Sequence, residues 1–105
     1  MKLTLAFALC LAVALAAGAQ ASSKTVELGK GSGLLVSYCS PCHDWAADYN
    51  SIMASGVIVP GDSASSPAWI MISTGRMPAR GPAPNAEERK LIKEWIDAGA
   101  PAPKN

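Results

Sequence analysis

The side chains best suited to chemistry are concentrated in one pentapeptide, Cys39-Ser40-Pro41-Cys42-His43, which holds two of the three cysteines of the chain and its only histidine. Two thiols separated by two residues, with an imidazole directly after the second, form the C-x-x-C-H pattern that is typical of covalent haem attachment. One tight turn lets each thiol add to a haem vinyl group, and the adjacent imidazole can then bind the iron. The sequence therefore predicts one haem c per chain, attached through Cys39 and Cys42, with His43 as an iron ligand.

Three other uses of a C-x-x-C pair explain the pattern less well. A closed zinc site needs four protein ligands, but the chain has no second cysteine pair and no second histidine. A thioredoxin-like redox motif needs a βαβ context, and no strand-rich segment precedes Cys39. A plain disulfide leaves His43 without a role. Haem attachment is the interpretation that uses all three side chains.

Residues 1–21 have the three parts of a cleaved secretory signal. Lys2 supplies the positive start, residues 3–15 an apolar stretch, and Ala19 or Ala21 a small residue at the cleavage site. The alternative is a membrane anchor, but the apolar run is at the lower limit for spanning a bilayer and no charged stop follows it. We expect Cys10 to be removed with the signal. The mature protein is then periplasmic or otherwise exported, where oxidised thiols are permitted, and it has no membrane attachment.

The charge balance argues against one class of partner. The chain has nine basic and eight acidic residues, so loss of Lys2 leaves eight of each in residues 22–105. No basic stripe is present, and nucleic-acid binding therefore has no electrostatic support. About 84 residues make one small domain with a limited core, to which a haem would add a large apolar plate. We expect a monomer.

The clearest predicted element is a helix near the C-terminus. Asn85 is suited to cap its start, with Glu88 three positions later as in a capping box. Apolar residues at positions 91, 92, 95 and 96 form one stripe, and Gly99 is placed to end the helix. This stripe predicts a core-facing surface, with Trp95 packed over Gly31.

Two further helices are predicted. The first spans Val26 to Tyr38 and leads into the pentapeptide, although its three glycines each cost about 1 kcal/mol relative to alanine. The other begins with Ser66 as cap and Pro67 in the first turn, and runs to about Ser73. No alternating β pattern of useful length occurs. The predicted fold class is all-α, with three or more helices wrapped around one covalently attached haem.

A second iron ligand is sought among the methionines of residues 22–105, which are Met53, Met71 and Met77. Met77 precedes Pro78, which disfavours helical geometry at Met77 and places it in a loop. Met71 lies within a predicted helix, where core packing is the simpler explanation. Met53 is close in sequence to His43, so it is less suited to reach the opposite face of the haem. Met77 is therefore predicted to bind the iron through its neutral thioether, which raises the reduction potential relative to a second nitrogen ligand.

Supporting roles are assigned to five other residues. The Pro60 carbonyl is a candidate acceptor for the ring N–H of the imidazole. Trp69 and Arg76 are candidates for binding a haem propionate, with core packing and a solvated surface charge as their respective alternatives. Trp45 and Tyr49 follow the pentapeptide and are suited to cover the porphyrin edge, but packing explains them equally well.

The order of these segments resembles a known family. C-x-x-C-H is followed by a Pro-Gly turn at 60–61, a Ser-Pro helix start at 66–67, Arg-Met-Pro at 76–78 and Trp-Ile-x-x-Gly-Ala-Pro at 95–101. In this order the chain is similar to small bacterial monohaem cytochromes c, and most closely to planctomycete-type cytochrome c domains. The resemblance covers nearly all of residues 22–105. It implies thioether anchors at Cys39 and Cys42, His43 as proximal ligand and Met77 as distal ligand.

From these features we expect an exported electron-transfer protein that exchanges one electron with redox protein partners and is not an enzyme. Two alternatives stay open. One is a haem enzyme or gas sensor with an open or displaceable sixth position, although no second histidine is available for acid–base chemistry. The other is a haem domain docked in a larger redox complex.

Overall fold

The structure, a computed structural model, describes residues 29–104. This part of the chain forms four α-helices: α1 (Lys30–Cys39), α2 (Tyr49–Ser55), α3 (Pro67–Ser73) and α4 (Ala86–Asp97). Short 3₁₀ turns occur at Asp44–Ala46 and Ser63–Ser65. No strand is present between residues 29 and 104, so the predicted all-α class is confirmed for this range. The predicted signal at 1–21 and the predicted helix start at Val26 lie outside the described residues.

The N-terminus of α4 is stabilised as the sequence predicts. Asn85 Oδ1 accepts a hydrogen bond from the backbone N–H of Glu88 at 2.8 Å, and Glu88 Oε1 accepts one from the backbone N–H of Asn85 at 3.0 Å. This capping box satisfies two donors that have no partner within the helix. Ile92, Trp95 and Ile96 are buried on one face of α4. The prediction for this helix is confirmed in its start, its apolar face and its end before Gly99.

Helix α1 packs against α4 through a contact that requires glycine. A Cβ atom built on Gly31 would overlap Cβ, Cγ and Cδ2 of the fully buried Trp95 side chain. Near the other end of α1, the Tyr38 hydroxyl donates a hydrogen bond to Glu88 Oε1 at 2.8 Å. The predicted packing of Trp95 over Gly31 is therefore confirmed, and it sets how closely the helix that ends at Cys39 approaches α4.

The sequence analysis did not predict α2. Asp48 Oδ1 accepts a hydrogen bond from the backbone N–H of Ser51 at 2.8 Å and caps its start. Gly56 adopts a left-handed conformation at φ 79° and ends it. Only Ile52 is buried within these seven residues. A helix of this length has too few turns to show a periodic apolar pattern, although both of its end signals are present in the sequence.

The bounds of α3 agree with the prediction, but the role of its cap residue differs. Ser66 occupies the N-cap position without making a side-chain capping bond. Its buried hydroxyl accepts a hydrogen bond from the Val59 N–H at 2.8 Å and donates one to the Asp62 carbonyl at 2.9 Å. Ser66 therefore stabilises the loop that precedes α3.

One hydrophobic core joins all four helices, formed by Leu35, Ile52, Ile58, Ala68, Ile72, Ile92, Trp95, Ile96 and Ala100. The segment after α4 is fixed to this core by two side chains. Trp95 Nε1 donates to the Pro101 carbonyl at 2.9 Å, and the Tyr49 hydroxyl donates to the Ala100 carbonyl at 2.8 Å. Within the described range, no helix is both long enough and apolar enough to cross a bilayer.

Candidate cofactor site

A cavity of about 600 Å³ opens beside the end of α1. Its wall is formed by the last turn of α1, the pentapeptide, Trp45, one face of α3, the loop 77–84 and Ile92 of α4. Most of these side chains are apolar, and the volume lies within the range of about 300–1,000 Å³ that is usual for ligand and cofactor pockets. The packing of α1 on α4 and of α3 on the core therefore creates a space suited to a large apolar molecule.

The two thiols lie at the edge of this cavity on a tight turn. Cys39 is the last residue of α1, and its carbonyl accepts hydrogen bonds from the N–H groups of Cys42 at 3.2 Å and His43 at 2.9 Å. Cys39 is half-buried, Cys42 is exposed, and neither forms a disulfide. Burial raises the pKa of the Cys39 thiol, and the neighbouring Cys42 raises it further. The turn holds both sulfur atoms, as free thiols, against the same cavity.

The imidazole of His43 also lines the cavity. Its ring stacks on the indole of Trp45, with ring centroids 5.2 Å apart and planes inclined by 26°. No hydrogen bond joins the imidazole to another side chain or carbonyl within residues 29–104. The indole therefore orients a ring whose nitrogen atoms are free of partners in this part of the chain.

Met77 reaches the cavity from the loop that follows α3. Its backbone N–H donates to the Met71 carbonyl at 3.1 Å, and the N–H of Arg76 donates to the same carbonyl at 3.0 Å. Met71 also lines the cavity, whereas Met53 packs against the core. The structure thus places two of the three candidate methionines at the cavity, although core packing was the expectation for Met71.

Four residues predicted to hold the cofactor, Cys39, Cys42, His43 and Met77, are brought to this one cavity. Three of the five residues predicted to have supporting roles, Pro60, Trp69 and Arg76, are not among those that line it. Pro60 is exposed, and no hydrogen bond links its carbonyl to the imidazole within the described range. Trp69 packs against the core, and Arg76 is exposed.

Two residues beside the pentapeptide now have distinct positions. Trp45 lines the cavity. Tyr49 instead lies edge-on to Trp95, with ring centroids 6.4 Å apart, and hydrogen bonds to the segment after α4. Trp45 therefore has the position that covering the porphyrin edge would need, whereas Tyr49 has a packing role.

The sequence analysis did not single out Tyr38 or Arg80, and both line the cavity. Tyr38 precedes the pentapeptide on the face of α1 that meets Glu88. Arg80 lies in a Gly- and Pro-rich loop whose path depends on contacts with α3 and α4. Tyr38 directly precedes Cys39, so its position near the thiols could have been predicted from the sequence. The position of Arg80 could not, because it depends on how the loop folds.

Among the described residues, no group of three or more His, Cys, Asp or Glu side chains is arranged to hold a metal ion by itself. Comparisons of the chain with protein-family models, with curated proteins and with solved structures find no match. The family resemblance of the motifs therefore stays a prediction, and the geometry of the cavity is the observation that bears on function.

Proposed function

We propose that this protein is an exported single-haem electron carrier, a small cytochrome c in which the haem occupies the cavity and is attached through Cys39 and Cys42. The observation that supports the proposal is the meeting of Cys39, Cys42, His43 and Met77 at one apolar cavity. Three of these are neighbours in the chain. Met77 comes from a separate loop beyond α3, and its arrival at the same place is not a consequence of the pentapeptide.

The residues present fit a haem. Both thiols are free, and each can add across a vinyl double bond so that a carbon–sulfur bond forms and the thiol hydrogen passes to the neighbouring vinyl carbon. This addition consumes no oxidant or reductant. The imidazole of His43 has a nitrogen available as an iron ligand, and the thioether of Met77 offers a soft, neutral second ligand. The mostly apolar wall suits the porphyrin face.

When bound, the haem supplies one-electron exchange between Fe(III) and Fe(II). The protein's own residues set the conditions for that exchange. The thiols fix the position of the group, and Trp45 limits rotation of the His43 ring by stacking on it. Leu35, Ile72 and Ile92 contribute apolar surface to the wall of the cavity. An apolar environment favours the less charged Fe(II) state. Separately, a methionine ligand would give a higher reduction potential than a second nitrogen ligand.

The partners under this proposal are donor and acceptor redox proteins, and the protein acts as a monomer in the periplasm or another exported compartment. Binding iron through both His43 and Met77 leaves no open position for oxygen or peroxide, which is why we propose a carrier and not an enzyme. A haem enzyme or gas sensor would need Met77 to be absent from the iron or easily displaced.

The test is an optical spectrum of the exported protein, oxidised and reduced, after expression with haem-maturation machinery. We expect a low-spin c-type spectrum with the far-red band of a methionine–iron bond. In Met77→Ala this band should disappear and carbon monoxide should bind the reduced iron. Met53→Leu is the matched control, because Met53 packs on the core away from the cavity, and it should leave the band unchanged.

Met71→Leu separates the two methionines at the cavity. Retention of the band in Met71→Leu and its loss in Met77→Ala would support Met77 as ligand. The opposite pattern would assign the bond to Met71. A high-spin wild-type spectrum that shifts with carbon monoxide would favour the enzyme or sensor alternative, and absence of covalent haem would overturn the proposal.

A further inference from the structure

Only one side chain in the wall of the cavity carries a permanent charge. Arg80 is the only Lys, Arg, Asp or Glu among the residues that line it. The other polar side chains of the wall are hydroxyl, thiol, imidazole and indole groups, and the hydroxyl of Tyr38 already donates to Glu88. Any anionic group bound in this cavity therefore meets a single fixed cation.

Arg80 has no acidic partner within residues 29–104. The ion pairs of that range join Lys90 to Glu94 and Lys93 to Asp97. The guanidinium of Arg89 donates to the Pro84 carbonyl at 2.8 Å and is directed at the backbone. The Arg80 guanidinium, with its five N–H donors, is thus free in this range to bind a ligand.

The loop that bears Arg80 is held at both ends. At one end, the Met77 N–H donates to the carbonyl of Met71 at 3.1 Å. At the other end, the guanidinium of Arg89 on α4 donates to the Pro84 carbonyl at 2.8 Å. Prolines at 78, 82 and 84 restrict the backbone between these anchors. Because the loop loses little conformational freedom when a ligand binds, a contact from Arg80 costs less entropy than one from a free chain end.

We infer that Arg80 binds a propionate carboxylate of the haem, the role for which the sequence suggested Arg76. The inference rests on the proposed function. Both Arg76 and Arg80 are exposed to solvent, but only Arg80 lines the cavity. A guanidinium can donate two parallel hydrogen bonds to a carboxylate, which gives geometric fit as well as charge pairing.

This contact has two electrical consequences. A cation near the haem disfavours the more positive Fe(III) state and raises the reduction potential. A paired propionate also has a lowered pKa, so its charge stays constant over a wide pH range. Without Arg80, the propionate takes up a proton at higher pH, and the reduction potential then falls as pH rises through that range.

The experiment compares Arg80→Gln with Arg76→Gln, a matched pair that removes one charge each from the same loop region. Reduction potentials of the haem-loaded proteins are measured from pH 4 to pH 9. We expect Arg80→Gln to lower the potential and to add a pH-dependent step that the wild type lacks in this range. Arg76→Gln should show a smaller fall and no new step. Arg80→Lys, which retains the charge but not the planar fork, should recover most of the potential.

Equal shifts in the two Gln variants without a new pH-dependent step would overturn the inference, because general electrostatics would then explain both. A new step in Arg76→Gln alone would assign the carboxylate to Arg76 and also overturn it. Both results leave the proposed function in place, because both proteins still contain covalent haem. Absence of haem from the wild type would instead overturn the proposed function, and this inference with it.

Discussion

At the scale of single residues, Gly31 and Trp95 show how one missing methyl group positions a helix. The indole occupies the space that a side chain at position 31 would need. Gly33 lies two positions further along the same helix, and nothing approaches within 4 Å of a Cβ built there. The two glycines have the same helix propensity, but only Gly31 allows the close approach of α1 and α4.

Gly31→Ala should therefore destabilise the haem-loaded protein by about 1–3 kcal/mol, the usual cost of overpacking a core. Gly33→Ala should stabilise it by about 0.5–1 kcal/mol, because alanine gains helix propensity at an open position. Urea unfolding followed by circular dichroism measures both free energies. A gain of stability in both variants would show that the helices can separate at no cost.

At the scale of elements, Asp97 links α4 to the loop before α3. Lys93 Nζ donates to Asp97 Oδ2 at 2.7 Å, and the backbone N–H of Ser63 donates to Oδ1 at 2.9 Å. The hydrogen bond from Lys93 is the largest cause, with Ser63 next, of a pKa that is lowered from 3.8 to about 2. A carboxyl with a depressed folded-state pKa stabilises the fold above its unfolded pKa, and this contribution is lost as pH falls through the folded value.

Asp97→Asn should therefore lower stability at neutral pH and make the loss of stability between about pH 4 and pH 2 shallower than in the wild type. Glu94→Gln is the control, since Glu94 is an exposed carboxyl on the same helix and its nitrogen–oxygen distance to Lys90 is 4.0 Å. The control should retain the wild-type slope. Unfolding free energies measured at several pH values decide the matter, and identical slopes for Asp97→Asn and wild type would contradict the assignment.

The elements that the sequence predicted correctly are those specified by local signals. The start of α4 depends on Asn85 and Glu88, which are three positions apart, and α3 begins with Pro67 in its first turn. Helix α2 has comparable end signals but too short an apolar pattern. The position of Arg80 could not be predicted, because its loop is hydrogen bonded to residues on two different helices, Met71 of α3 and Arg89 of α4.

At the scale of the whole molecule, a cavity of about 600 Å³ is large for so small a chain. Small domains bury a lower fraction of their unfolded surface and have little stability to spare. An apolar space of this size contributes no packing contacts until it is filled. If haem fills this space as proposed, the protein should depend on it for much of its resistance to unfolding.

A Cys39→Ser/Cys42→Ser variant tests this dependence. Without thiols it should acquire no covalent haem, unfold at a lower urea concentration and bind a hydrophobic dye through its exposed cavity wall. Ser40→Ala alters the same turn at an exposed position and should keep both haem and stability. Equal midpoints for the double variant and the wild type would show that the fold is stable without its cofactor.

The pairing of α1 with α4 also sets an order of events. The Tyr38–Glu88 hydrogen bond joins residues fifty positions apart, so this contact closes a long loop and costs more chain entropy than any turn within a helix. It can form only when the chain is available as far as Glu88. Until then Ile92 has not been added to the wall, and the thiols at 39 and 42 face an incomplete cavity. If haem fills the cavity as proposed, its ring can reach the two thiols before α1 and α4 pair, while that wall is still incomplete.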